Sequence, residues 1–88
     1  AYGRDSVGFH FTWINDWPAV RAVLPRLEAA LAPLGARPHW GKLFTIEPAA
    51  VQAAYPRLGD FRRLAAQLDP AMTFRNAFVD RYVFEAPR

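Results

Sequence analysis

Val7-Gly8-Phe9-His10-Phe11-Thr12-Trp13 alternates with period two. Val7, Phe9, Phe11 and Trp13 fall on one side, and Gly8, His10 and Thr12 on the other. Its β-branched and aromatic content suits a strand. The aromatic side needs helices to cover it. The other side carries an imidazole and a hydroxyl, and is either a solvated outer face or the wall of a cavity. A second stretch, Arg37-Pro38-His39-Trp40-Gly41-Lys42-Leu43-Phe44, reads the same way. Alternation puts His39 and Gly41 on one face, and Trp40 and Lys42 on the other. Two such strands among helices give an α+β fold, of βαβ or split type.

The segments between and after them read as helices. Asn15-Asp16 offers an N-cap, and Trp17-Pro18 fits a first turn, where proline loses no hydrogen bond. Val20, Leu24, Leu27, Leu31 and Leu34 then recur at helical spacing. Pro25 lies inside that pattern and should bend the helix near Arg21, and Gly35 stops it. Pro48 opens a second helix that Pro56 ends. Leu58, Phe61, Leu64, Ala65 and Leu68 form an apolar stripe, with Arg57, Arg62 and Arg63 expected on the solvated side. Asn76 is placed to cap a last short helix through Tyr82, with Phe74 and Phe78 spaced to pack together. Phe84, in the tail, wants cover.

Composition narrows the function classes. The 88 residues are 52% hydrophobic and 15% aromatic, with three tryptophans and seven phenylalanines. A chain of this size buries about 60–65% of the surface it exposes when unfolded, so some large side chains should meet a partner, a ligand or more polypeptide. The chain opens at Ala1 without a methionine and reads as a piece of a longer protein. Without cysteine there are no disulfides or thiolate metal sites, and two histidines with no acidic cluster argue against any metal. The net charge of +3 comes from arginines spread among acidic residues, not from the concentrated patch that nucleic acid asks for. No apolar run approaches the roughly 20 residues of a membrane span and no leader is visible, which suggests a cytoplasmic protein.

Nucleophile elbows, phosphate loops and dinucleotide fingerprints are missing. What remains is His10, Thr12, His39 and Lys42. Lys42 is the one lysine among 11 basic residues, and arginine cannot imitate the proton chemistry of its ammonium. Lys42 is either an ordinary solvent-facing lysine or, beside Trp40, part of a half-buried site. This set can orient a polyhydroxylated or anionic ligand but cannot move electrons by itself.

Five motifs in order carry a resemblance: His10-Phe-Thr-Trp13, Trp17-Pro-Ala-Val-Arg21, Arg37-Pro-His-Trp-Gly-Lys42, Tyr55-Pro-Arg-Leu-x-Asp-Phe61, and Asp69-Pro-x-x-x-Phe-Arg-Asn-Ala-Phe78. Together they resemble the C-terminal end of the FAD-linked alditol (xylitol) and D-arabinono-1,4-lactone oxidases, over about residues 1–80. The resemblance implies that residues 1–88 are the C-terminal part of a substrate-binding (cap) domain, a small antiparallel sheet with helices on one face. An FAD domain would precede it in the same polypeptide. By the same resemblance, Thr12, His10 and Lys42 would bind a polyol or sugar lactone. Lys42 and His10 would serve catalysis, and Lys42 and His39 would face the cofactor. The implied activity is oxidation of a CH–OH donor by oxygen with release of hydrogen peroxide. By itself the 88-residue chain should be inactive and prone to associate through open sheet edges. The alternative is a stand-alone α+β module that binds a small anion or dimerises.

Overall fold

Helix α1 (Trp17–Leu31) begins where its sequence says it should. Asp16 caps it, its Oδ1 accepting from the Ala19 N–H at 3.2 Å, and Pro18 sits in the first turn. Pro25 lies inside the helix, which continues past it into a short 3₁₀ turn at Ala32–Leu34. Gly35 ends that turn with φ +70, a left-handed backbone that glycine adopts without a Cβ penalty. The computed structural model describes residues 2–86.

Three further helical segments follow. Helix α2 (Pro48–Ala53) starts at Pro48 and buries Val51 and Gln52. Helix α3 (Leu58–Leu68) carries Asp60 in its first turn. Helix α4 (Ala77–Val79) is capped by Asn76, whose side chain accepts from the Val79 N–H at 2.9 Å, and it widens into a π-helical turn over Asp80–Phe84. That turn packs on α2 and α3. Gln52 ties α2 to the end of the turn by donating through Nε2 to the Glu85 carbonyl at 2.9 Å. Arg62 does the same from α3, donating through Nε to the Val83 carbonyl.

The expected antiparallel sheet does not form. Among the described residues there is no hydrogen-bonded strand, and the fold is helical. A strand is defined by a neighbour that takes its N–H and C=O groups, and two or more further strands are needed before a sheet stands in water. Residues 7–13 find no such neighbour. Val7, Phe9 and Phe11 are 77%, 63% and 45% exposed. The period-two pattern survives only locally, in the stacking of Phe11 on Trp13 at 5.3 Å. Residues 37–44 fail as a strand for a different reason, a turn at their centre, described below.

Two other readings are corrected. Phe74 does not pack on Phe78; it is 85% exposed. On α3 the apolar stripe faces outward at Phe61, Leu64 and Leu68, and Arg62, expected in solvent, is half-buried. The Val83 carbonyl explains the second: an arginine reaches across a helix end that a leucine could not satisfy.

Among the described residues Val20, Leu24, Val51 and Val83 are buried, and Val51 and Val83 fully so. The chain also holds an aromatic cluster. Phe78 and Tyr82 are 4.8 Å apart, Phe44 and Tyr82 5.2 Å, Trp40 and Phe78 5.6 Å, and Trp40 and Tyr55 5.8 Å. These spacings suit edge-to-face aromatic packing. The whole is open. Its radius of gyration is 14.8 Å, against about 12 Å for a compact domain of this length. Its surface is 7120 Å², against roughly 5200 Å² for a compact monomer of this mass.

Candidate functional site

The turn at residues 39–42 is the most closely built polar feature of the chain. Lys42 donates its backbone N–H to the His39 carbonyl at 3.0 Å, and Gly41 donates its N–H to His39 Nδ1 at 3.0 Å. A side chain that hydrogen-bonds its neighbouring backbone competes with a strand ladder, and here it wins. A Cβ at Gly41 would stand 3.2 Å from His39 Cε1, so a larger residue there asks the imidazole to shift by a few tenths of an ångström.

Both ends of the turn are pinned. On one side Trp40 enters the aromatic cluster, and the Arg37 guanidinium lies between the rings of Tyr2 and Tyr55, 4.6 Å from each. Arg37 Nε also donates to the Ala54 carbonyl at 2.9 Å. On the other side Phe44 packs on Tyr82 and Phe78, and Thr45 donates its N–H at 3.0 Å, and its hydroxyl, to the Glu28 carboxylate on α1. Glu28 thereby spends its charge on Thr45.

Lys42 and His39 stand exposed on this anchored turn. Lys42 is therefore solvent-facing here, not half-buried, and it makes no ion pair among the described residues. His39 has Nδ1 occupied as an acceptor, so the neutral imidazole presents Nε2–H outward. His10 and Thr12 are also exposed. Among the described residues, no hydrogen bond, ion pair or ring contact joins residues 7–13 to the turn. The structure thus brings His39 and Lys42 into one feature and leaves His10 and Thr12 on a separate surface segment.

The residues that sequence reading missed are those of the Arg37 cradle. Tyr2, with φ +60, and Gly3, with φ +66, turn the start of the chain so that the Tyr2 ring lies on Arg37. An open cleft of about 540 Å³ results, lined by Tyr2, Arg4, Arg37, Pro56 and Arg57. Its parts come from three separate stretches, residues 2–4, 37 and 56–57, and have no shared periodicity, so no sequence signal marks them.

The surface thus shows an exposed ammonium, two imidazoles and a hydroxyl beside uncovered aromatic side chains. The class to which the chain belongs follows from comparison. The sequence matches the D-arabinono-1,4-lactone oxidase family over residues 10–82, and the chain belongs to that family. It is 54% identical over 79 residues to an alditol oxidase of Streptomyces sp. (strain IKD472 / FERM P-14339), a match covering 90% of this chain and 19% of the relative. It is 44% identical over 41 residues to a long-chain alcohol oxidase of an uncultured marine euryarchaeote, covering 47% of this chain and 9% of that protein. The chain therefore spans about a fifth of the length of the first relative. No helix among the described residues is long and apolar enough to cross a membrane.

Proposed function

We propose that this chain is the C-terminal part of the substrate-binding domain of a flavin-dependent oxidase. The complete protein would oxidise a CH–OH group of a sugar alcohol or sugar lactone, with oxygen as acceptor and hydrogen peroxide as product. The observation that carries this reading is the family match over residues 10–82, a span that holds His10, Thr12, His39 and Lys42. The 54% identity to an alditol oxidase favours a polyol as substrate. The open shape and the bare aromatic face of residues 7–14 support a chain that completes its fold against further polypeptide, the FAD domain among it. A cytoplasmic setting belongs to the same reading.

The donor set fits a flavin and a polyol together. Lys42 carries an ammonium that no carboxylate neutralises among the described residues, and His39 has one N–H to spare. These two would face the cofactor. FAD, when bound, would supply the hydride acceptor. Lys42 would place its positive charge where negative charge develops, a contribution that reaches several kcal/mol in a site closed to water, about 3–4 for one well-placed donor. Thr12 would hydrogen-bond a substrate hydroxyl and so fix which carbon is presented. His10 would orient the reacting hydroxyl and take its proton at an imidazole nitrogen, as a general base. The 88-residue chain by itself would turn over no polyol.

Substituting Lys42→Met in the complete oxidase tests this. Anaerobic mixing with xylitol should show flavin reduction slowed by about a hundredfold, the usual cost of losing one preorganised electrostatic donor. An unchanged reduction rate would remove Lys42 from the chemistry.

A further inference from the structure

The cleft lined by Tyr2, Arg4, Arg37, Pro56 and Arg57 has no part in the oxidase reading, which uses His10, Thr12, His39 and Lys42. Three of its five lining residues are arginines, and no carboxylate lines it. Arginines brought to one cleft repel one another, and that repulsion is tolerated only where something offsets it. For Arg37 the offset is partial: the two tyrosine rings and the Ala54 carbonyl hold the guanidinium rigid but leave its charge in place. Its two terminal nitrogens have no acceptor among the described residues. Nor has the Arg4 guanidinium. Arg57 gives Nε to Asp60, but Asp60 is shared with Arg63, so one carboxylate stands against two guanidiniums.

A second depression of about 310 Å³ shares Tyr2 and Arg57 with the cleft and is lined also by Asp60, Phe61 and Leu64. The outward-turned stripe of α3 thus gives the basic cleft an apolar extension. The Asp60 carboxylate on that side disfavours a second anionic group there.

The geometry points to a binding site for a phosphate monoester, with the phosphoryl oxygens on Arg4, Arg37 and Arg57 and an apolar or aromatic organic part on Phe61 and Leu64. Guanidinium forks match phosphoryl oxygens in shape, and a rigidly held fork loses less freedom on binding. A finite cleft of this volume takes a small molecule, and a lipid headgroup shares only the phosphoryl part of that description.

The test is calorimetric titration of the complete oxidase with phenyl phosphate and with inorganic phosphate at low ionic strength, alongside vesicles of phosphatidic acid in phosphatidylcholine. Phenyl phosphate is expected to bind saturably, one per chain, several-fold tighter than inorganic phosphate, and more weakly as salt is added. Arg4→Gln, which removes no contact that supports the fold, should weaken it about tenfold, the scale of one charge-assisted hydrogen bond. Arg26→Gln, the same charge change on exposed α1, should leave it unaltered. Equal weakening by Arg26→Gln would reduce the effect to net charge and overturn the site. Binding to the vesicles alone would overturn the small-molecule ligand. Equal affinity for the two phosphates would overturn the role given to Phe61 and Leu64.

Discussion

Two aromatic regions of similar composition have opposite fates in this chain. Trp40, Phe44, Tyr55, Phe78 and Tyr82 come from three separate stretches and close on one another at ring distances of 4.8 to 6.2 Å. Phe9, Phe11 and Trp13 come from one stretch, and among the described residues their one ring contact is that of Phe11 on Trp13. Hydrophobicity does not separate the two groups. The first joins helical segments, whose backbone groups are bonded within the segment. The second is patterned for a sheet, and a strand cannot supply its own neighbour. A helix satisfies its backbone internally, and a strand borrows.

The strongest attack on this comparison is at the covered cluster. Phe78→Ala removes the ring that touches Trp40, Phe44 and Tyr82. Phe78 is half-buried, so the expected cost is about 2–3 kcal/mol, at or below the low end for a phenylalanine truncated in a core. At roughly 4–8 °C per kcal/mol for a domain of this size, the thermal midpoint should fall by about 10–20 °C. An unchanged midpoint would mean that the cluster does not hold the helices together.

A smaller effect sharpens the role of local caps. Asp69 accepts from the Phe74 N–H at 2.9 Å and the Thr73 N–H at 2.7 Å, and these bonds, with that to Phe74 the larger influence, hold its carboxyl below the ordinary aspartate range. Asp60 is lowered as well, first by its hydrogen bond to Arg57 and then by the charge of Arg63. A carboxyl whose folded pKa is depressed stabilises the fold above its unfolded value and loses that contribution as pH falls through the folded one. Thermal midpoints should therefore be level at neutral pH and decline below about pH 4, the unfolded aspartate value. Asp69→Asn should flatten part of that decline. An identical pH profile in the variant would show that the loop after α3 is held by something else.

What could be read from the sequence divides along the same line. Asp16, Pro18, Gly35, Pro48 and Asn76 mark helix ends through contacts within four residues, and each sits where its chemistry requires. The strands at 7–13 and 37–44 could not be verified from pattern alone, because pairing is a property of two segments. At His39 the pattern was overruled by one side chain that took the Gly41 N–H. Arg62 was misplaced because its acceptor, the Val83 carbonyl, lies 21 residues away. The candidate residues His10, Thr12, His39 and Lys42 could be picked out as residue types, and the Arg37 cradle could not, since nothing in the order of the chain announces that Tyr2 will lie upon it.

The smallest stability effect carries the most information about the bare segment. Phe9 is 63% exposed and touches no ring among the described residues. Phe9→Ser should therefore change the urea midpoint of the 88-residue chain by less than the equivalent of about 0.5 kcal/mol, as for other substitutions away from any packed feature. Its effect should fall instead on association. An exposed, alternating aromatic segment with free N–H and C=O groups is a template for another chain, and a polar residue at its centre weakens that pairing. Light scattering should show the wild-type chain associating with rising concentration and the variant doing so less. A loss of more than about 1 kcal/mol in the variant, beyond what surface substitutions cause, would place Phe9 in a packed interior and erase the contrast between the two aromatic regions.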